Sequence, residues 1–97
     1  MTINKTANGN ELVIALAGRL DTTTAPQLDE EVKAIDGVTK LVFDFAALEY
    51  ISSAGLRVLL SAQKIMNKQG SMVIKNVNEE IREIFDVTGF IDILTIE

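Results

Sequence analysis

Two polar clusters carry the residue types that could do chemistry in this sequence. Gly18-Arg19-Leu20-Asp21-Thr22-Thr23-Thr24 sets a carboxylate beside three hydroxyls, and Glu49-Tyr50-Ile51-Ser52-Ser53-Ala54-Gly55 sets two adjacent serines before an apolar stretch. A serine becomes a nucleophile only beside an activating base, and no lysine stands at a helical spacing that aims it at Ser53. The chain has no histidine and no cysteine. That excludes a Ser-His-Asp triad, a thiolate nucleophile and an imidazole or thiolate zinc site. Asp21, Asp44 and Glu49 are oxygen donors for a hard cation, but their spacing matches no Mg²⁺ or Ca²⁺ loop. Gly18 and Gly55 stand alone, so there is no phosphate-cradling glycine loop. The expectation is a chain with no catalytic residue, no cofactor and no metal. Each cluster also has a structural alternative. One of Ser52 and Ser53 suffices to cap a helix, Gly55 suits close packing of helix on strand, and Asp21 with its threonines suits a turn and an N-cap.

The elements that must position these clusters are legible from patterning. Asn8-Gly9 predicts a type I′ hairpin after an edge strand over residues 2–7 that carries Lys5. Residues 12–17 are continuously apolar, as in a strand covered on both faces. A first helix follows, capped by Thr24, with Pro26 in its first turn, a stripe of Ala25, Leu28, Val32 and Ile35, and an end at Asp36-Gly37. Residues 40–45 read as a central strand, and residues 46–52 as a loop. The second helix spans about residues 53–68. Leu56, Leu59, Leu60 and Met66 fall on its inner side, and Arg57, Ser61, Lys64 and Lys68 fall on its outer side. Gly70 stops it. Residues 71–75 form a short strand. Asn78 caps a third helix with Ile81, Ile84, Phe85 and Thr88 inward, Gly89 ends it, and residues 93–96 are too short to assign. The order β-β-α-β-α-β-α predicts an α/β fold in one domain over residues 1–97. Its mixed sheet has four to five strands, with helices mainly on one face.

Composition narrows the function further. Of 97 residues, nine are basic and fourteen acidic, giving a net charge of −5. That balance argues against direct contact with nucleic acid or an anionic membrane. The longest apolar run is far short of the ~20 residues a membrane helix needs, and the first residues lack a secretory signature. A cytoplasmic monomer is the expectation.

Taken in order, Gly18-Arg19-Leu20-Asp21, the amphipathic helix, Leu41-Val42-Phe43-Asp44-Phe45, Tyr50-Ile51-Ser52-Ser53-Ala54-Gly55-Leu56 and Ile84-Phe85-Asp86-Val87-Thr88-Gly89-Phe90 resemble the STAS domain of bacterial anti-sigma factor antagonists. The resemblance spans essentially the whole chain. It implies a non-enzymatic switch that binds an anti-sigma factor, often itself an ATP-dependent serine kinase, and so releases a sigma factor. In that family the kinase modifies a serine at the start of the second helix, and a PP2C-type phosphatase reverses it. The family motif Asp-Ser-Ser/Thr-Gly-Leu falls on Ser52-Ser53-Ala54-Gly55-Leu56, which assigns the modified hydroxyl to Ser53. Ser52 replaces the family aspartate and Ala54 the second hydroxyl. The implied contact surface is Asp21, Thr22 and Thr23 with Ser52, Ser53, Gly55, Leu56 and Arg57. The same resemblance admits a rival, an unphosphorylated scaffold subunit of a transporter or lipid-trafficking complex. Apart from the resemblance, a phosphoryl group at a helix N-terminus meets free amides and a favourable dipole, so modification at Ser53 is compatible with the fold.

Overall fold

In the computed structural model, which describes residues 1–97, the chain runs β1 (Thr2–Asn8), β2 (Glu11–Leu20), α1 (Ala25–Val32), β3 (Lys40–Ile51), α2 (Ser53–Gln69), β4 (Ser71–Lys75), α3 (Glu79–Thr88) and a 3-10 turn at Phe90–Asp92. The four strands lie in sequence order, β1 antiparallel to β2 and the rest parallel. Parallel neighbours need crossovers, and α1 and α2 supply them. The hairpin turn is one residue later than the sequence predicts. Asn8 pairs with Glu11, so Gly9 and Asn10 form the loop. Only Gly9 has positive φ there, at 63°, which is the type II′ pattern, with glycine in the first central position.

The core takes alternate residues from one face of the sheet, among them Ile14, Leu16, Leu41, Phe43, Phe45, Met72 and Ile74. Against them pack Leu28 and Val32 from α1, Leu59 and Met66 from α2, and Ile81 and Phe85 from α3. The apolar run of β2 is therefore not covered on both faces. Val13, Ala15 and Ala17 point away from the helices and are only half-buried, because no helix lies over that side. Val42 and Val73, register partners, are buried on that second face without joining the main core.

The residues read as a loop, 46–52, are mostly strand. β3 continues to Ile51 because its register with β2 shifts between Ala15 and Ala17 and again between Gly18 and Arg19. Such irregularities change the phase of the pleat. Leu48 and Ile51 thereby turn into the core while Glu49 and Tyr50 stay outside. Three smaller assignments also change. α1 ends at Val32, and Ile35 is buried just beyond it. Val58 is buried on α2 whereas Leu60 is half-buried, since the helix also packs on α1. Thr88 is exposed, its hydroxyl donating to the Ile84 carbonyl at 2.6 Å. The tail closes the outer edge of β4. Ile96 bridges Ile74, whose N–H donates to Thr95 O at 2.9 Å.

Candidate functional site

The turn from β2 into α1 is organised by Asp21. Its Oδ1 accepts from Thr23 Oγ1 at 2.7 Å and from the amides of Thr23 and Thr24 at 3.0 and 3.2 Å. Thr24 occupies the N-cap position but its side chain makes no cap bond. Its hydroxyl donates to Arg19 O and accepts from the Asp21 amide, both at 2.8 Å. The capping expected of Thr24 thus passes to Asp21, one turn earlier. The Thr23 hydroxyl, with the two amides, holds the Asp21 carboxyl below the usual carboxylate range, against a smaller opposing effect of burial. Arg19 lies 4.2 Å over the Tyr50 ring and 3.8 Å from Asp21 Oδ2, tying the turn to the end of β3.

The start of α2 sits against that turn. The Ser52 amide donates to Leu20 O at 2.9 Å, joining the ends of β2 and β3. Ser52 is extended, with φ −101° and ψ 175°, and is the N-cap. Its Oγ accepts from the Gly55 amide at 3.4 Å, a long bond. Ser53 is the first residue of the helix and is exposed. The two adjacent hydroxyls therefore have different employment, Ser52 in the cap and Ser53 in solvent. Gly55 lies under the helix, where an added Cβ would stand 2.7 Å from Leu20 Cγ and 2.9 Å from Ile51 Cγ1. Only glycine lets the helix approach the two strand ends this closely.

Thr22, Thr23, Ser53 and Arg57 are exposed, and Asp21 and Ser52 are half-buried. Gly55 and Leu56 are buried, so they support the surface from beneath and do not form part of it. Thr22, Pro26 and Asp29 face Ala54, Arg57 and Ser61 across a shallow groove of about 310 Å³ between α1 and α2. Sequence reading omitted Pro26 and Ser61 from the site. Their signal was the outward face of two helices, which becomes a groove only once α1 is known to pack on α2. It also omitted the Arg19–Tyr50 stack, which needs the shifted register. Asp44 is separate. Its Oδ1 accepts from Asn76 Nδ2 at 2.9 Å and the Ala46 amide at 3.0 Å, which lower its carboxyl pKa. It pins the loop after β4 to β3. No group of three or more His, Cys, Asp or Glu residues is placed to hold a metal ion.

The STAS domain family model covers residues 2–97, and the chain belongs to that family. It is 39% identical over 88 residues to BtrV of Bordetella bronchiseptica, named among the anti-sigma factor antagonists, covering 88% of this chain and 76% of that one. It is 33% identical over 91 residues to the anti-sigma-B factor antagonist of Bacillus subtilis, covering 92% and 84%. The fold matches that of the Bacillus cell fate determinant SpoIIAA in its phosphorylated form, with a TM-score of 0.78 and 19% identity over 99% of this chain and 91% of that one.

Proposed function

We propose that this chain is an anti-sigma factor antagonist. It binds an anti-sigma factor directly, so that a sigma factor is released, and phosphorylation of Ser53 switches the binding off. One observation carries the reading: Ser52 is consumed as the N-cap, while Ser53 opens a 17-residue helix with its side chain exposed. A kinase can reach that hydroxyl without unfolding the helix end. Its small, half-buried neighbour Ala54 leaves room for the kinase backbone to approach. The added charge, about −1.5 to −2, falls where helix amides and dipole accommodate it. Ser52 in place of the family aspartate keeps the capping function, because serine and aspartate are equally good N-caps.

In this reading Thr22, Thr23, Ser53 and Arg57 meet the partner. Asp21 and Ser52 hold the backbone beneath them, and Gly55 and Leu56 set the height of the helix. The anti-sigma factor is of the serine-kinase type and a PP2C-type phosphatase resets the switch. The chain itself catalyses nothing, holds no cofactor or metal, and works as a single-domain monomer in the cytoplasm. No helix is long and apolar enough to cross a membrane.

The test is capture from an extract of the source cell with a Ser53→Ala bait, mass-spectrometric identification of what binds, and phosphopeptide mapping after incubation with that protein and ATP. An anti-sigma factor in the eluate and phosphate on Ser53 of the wild-type chain, absent from Ser52 and Ser61, are the expected results. Capture of a transporter subunit with no phosphate on Ser53 contradicts the switch and supports the scaffold.

A further inference from the structure

The cations of α2 differ from five of the six elsewhere in the molecule, the sixth being Arg82, exposed and without an ion pair on the otherwise acidic α3. Lys5, Arg19, Lys33, Lys40 and Lys75 each face a carboxylate. Arg57, Lys64 and Lys68 are exposed and form no ion pair, and α2 contains no acidic residue. Asp29, the carboxylate across the groove from Arg57, is held by Lys33 at 3.0 Å. Counted from Ser53, the three cations fall at i+4, i+11 and i+15, a single stripe about 17 Å long from Arg57 to Lys68 at the helical rise of 1.5 Å per residue. The stripe does not reflect an overall basic character. Residues 76–97 hold six carboxylates against Arg82 alone, the whole −5 of the chain, while residues 1–75 hold eight charges of each sign.

We infer that this stripe docks an acidic surface of the anti-sigma factor, and that the Ser53 phosphate acts by cancelling the charge at its head. The inference rests on the function proposed above. Unpaired charges of one sign along a rigid helix cost the free protein little in water, but they steer and orient a complementary partner. A phosphate on Ser53 stands one helical turn before Arg57, the spacing of an i,i+4 ion pair, and sets about two negative charges at the end where docking begins. A polyanion fits less well. Three cations release few counterions, and the acidic pole repels nucleic acid or an anionic bilayer.

The test uses the anti-sigma factor identified with the Ser53→Ala bait, and measures its association rate at low and high salt. Lys64→Glu/Lys68→Glu alters the stripe. Lys5→Glu/Lys40→Glu makes the same change in net charge elsewhere, and thermal melts confirm that both fold. The stripe variant is expected to associate at least about tenfold more slowly at low salt and to lose most of the salt dependence, the control to do neither. An unchanged rate and salt slope in the stripe variant overturn the inference and leave the proposed function standing, since the wild-type chain still binds. Failure of any anti-sigma factor to bind even Ser53→Ala removes both. Phosphatidylserine vesicles and single-stranded DNA serve as further probes. If the stripe variant loses either of these but keeps the anti-sigma factor, the inference is also overturned.

Discussion

Ser52 and Ser53 are chemically identical and one residue apart, yet the backbone gives them different work. Ser52 N–H closes the gap to Leu20 O and its hydroxyl faces the Gly55 amide, whereas Ser53 lies inside the first turn with its side chain outward. Ser52→Ala should therefore destabilise the protein by ~0.5–2 kcal/mol, towards the lower end because the cap bond is long. Ser53→Ala should stay within ~0.5 kcal/mol of wild type. Denaturant melts of the two variants check this, and the reverse order would reassign the cap. The sequence shows that a cap stands at this pair. Which serine takes it depends on where β3 ends, and that is set by register shifts no local pattern reveals. Asp21 was legible as a turn residue, but its role as the hydrogen-bond hub was not, because Thr24 is an equally good local candidate. With its carboxyl held below the ordinary value of about 3.9, Asp21 contributes stability that is fully present above that pH and is lost as pH falls through the folded-state value. Asp21→Asn should thus flatten the acid side of the stability profile below about pH 4 and change its slope little near neutrality. Thermal midpoints across the acid range measure it. An unchanged acid limb would show that the Thr23 bond does not persist in solution.

At the scale of elements, β4 and the start of α3 were legible to the residue, since Gly70, Asn78 and Gly89 punctuate them and little else competes. β3 was not. Its second half, with Glu49 and Tyr50 outside and Leu48 and Ile51 inside, breaks strict alternation, and only pairing with a bulged β2 keeps it in the sheet. This extension carries the site, because it delivers Ser52 beside Leu20. Gly55 is the tightest point of the junction. Gly55→Ala places a methyl 2.7 Å from Leu20 Cγ, so Leu20 or the helix must shift. The expected cost is ~1–3 kcal/mol, together with a displaced α2 start and poorer partner binding. Denaturant melts and amide chemical shifts around Leu20 test this, and a neutral substitution would mean the junction is loose. Leu59, fully buried at the middle of α2, should cost ~2–5 kcal/mol as Leu59→Ala, from lost transfer energy and the cavity left behind. A loss below ~0.5 kcal/mol would place the wrong face of the helix inward.

For the whole molecule, the sheet buries one face under three helices and leaves the other largely without cover, while charge divides between a cationic α2 and an anionic carboxyl-terminal segment, residues 76–97. Helix order and the one-faced core followed from patterning. The open face of β2 did not, because alanines at 15 and 17 make a half-covered strand look fully apolar. Ser53 and the cations of α2 share one exposed helix face, so the proposed modification would alter that surface without rebuilding the core. The most direct measurement is calorimetric titration of the anti-sigma factor into three forms of the chain: Ser53→Ala, Ser53→Asp and the wild type phosphorylated on Ser53. All three should melt as folded domains. Ser53→Ala should bind like the unmodified wild type, with the other two weaker by at least about tenfold, the scale of a repulsive charge placed in an interface. Equal affinities across the three forms would contradict the switch.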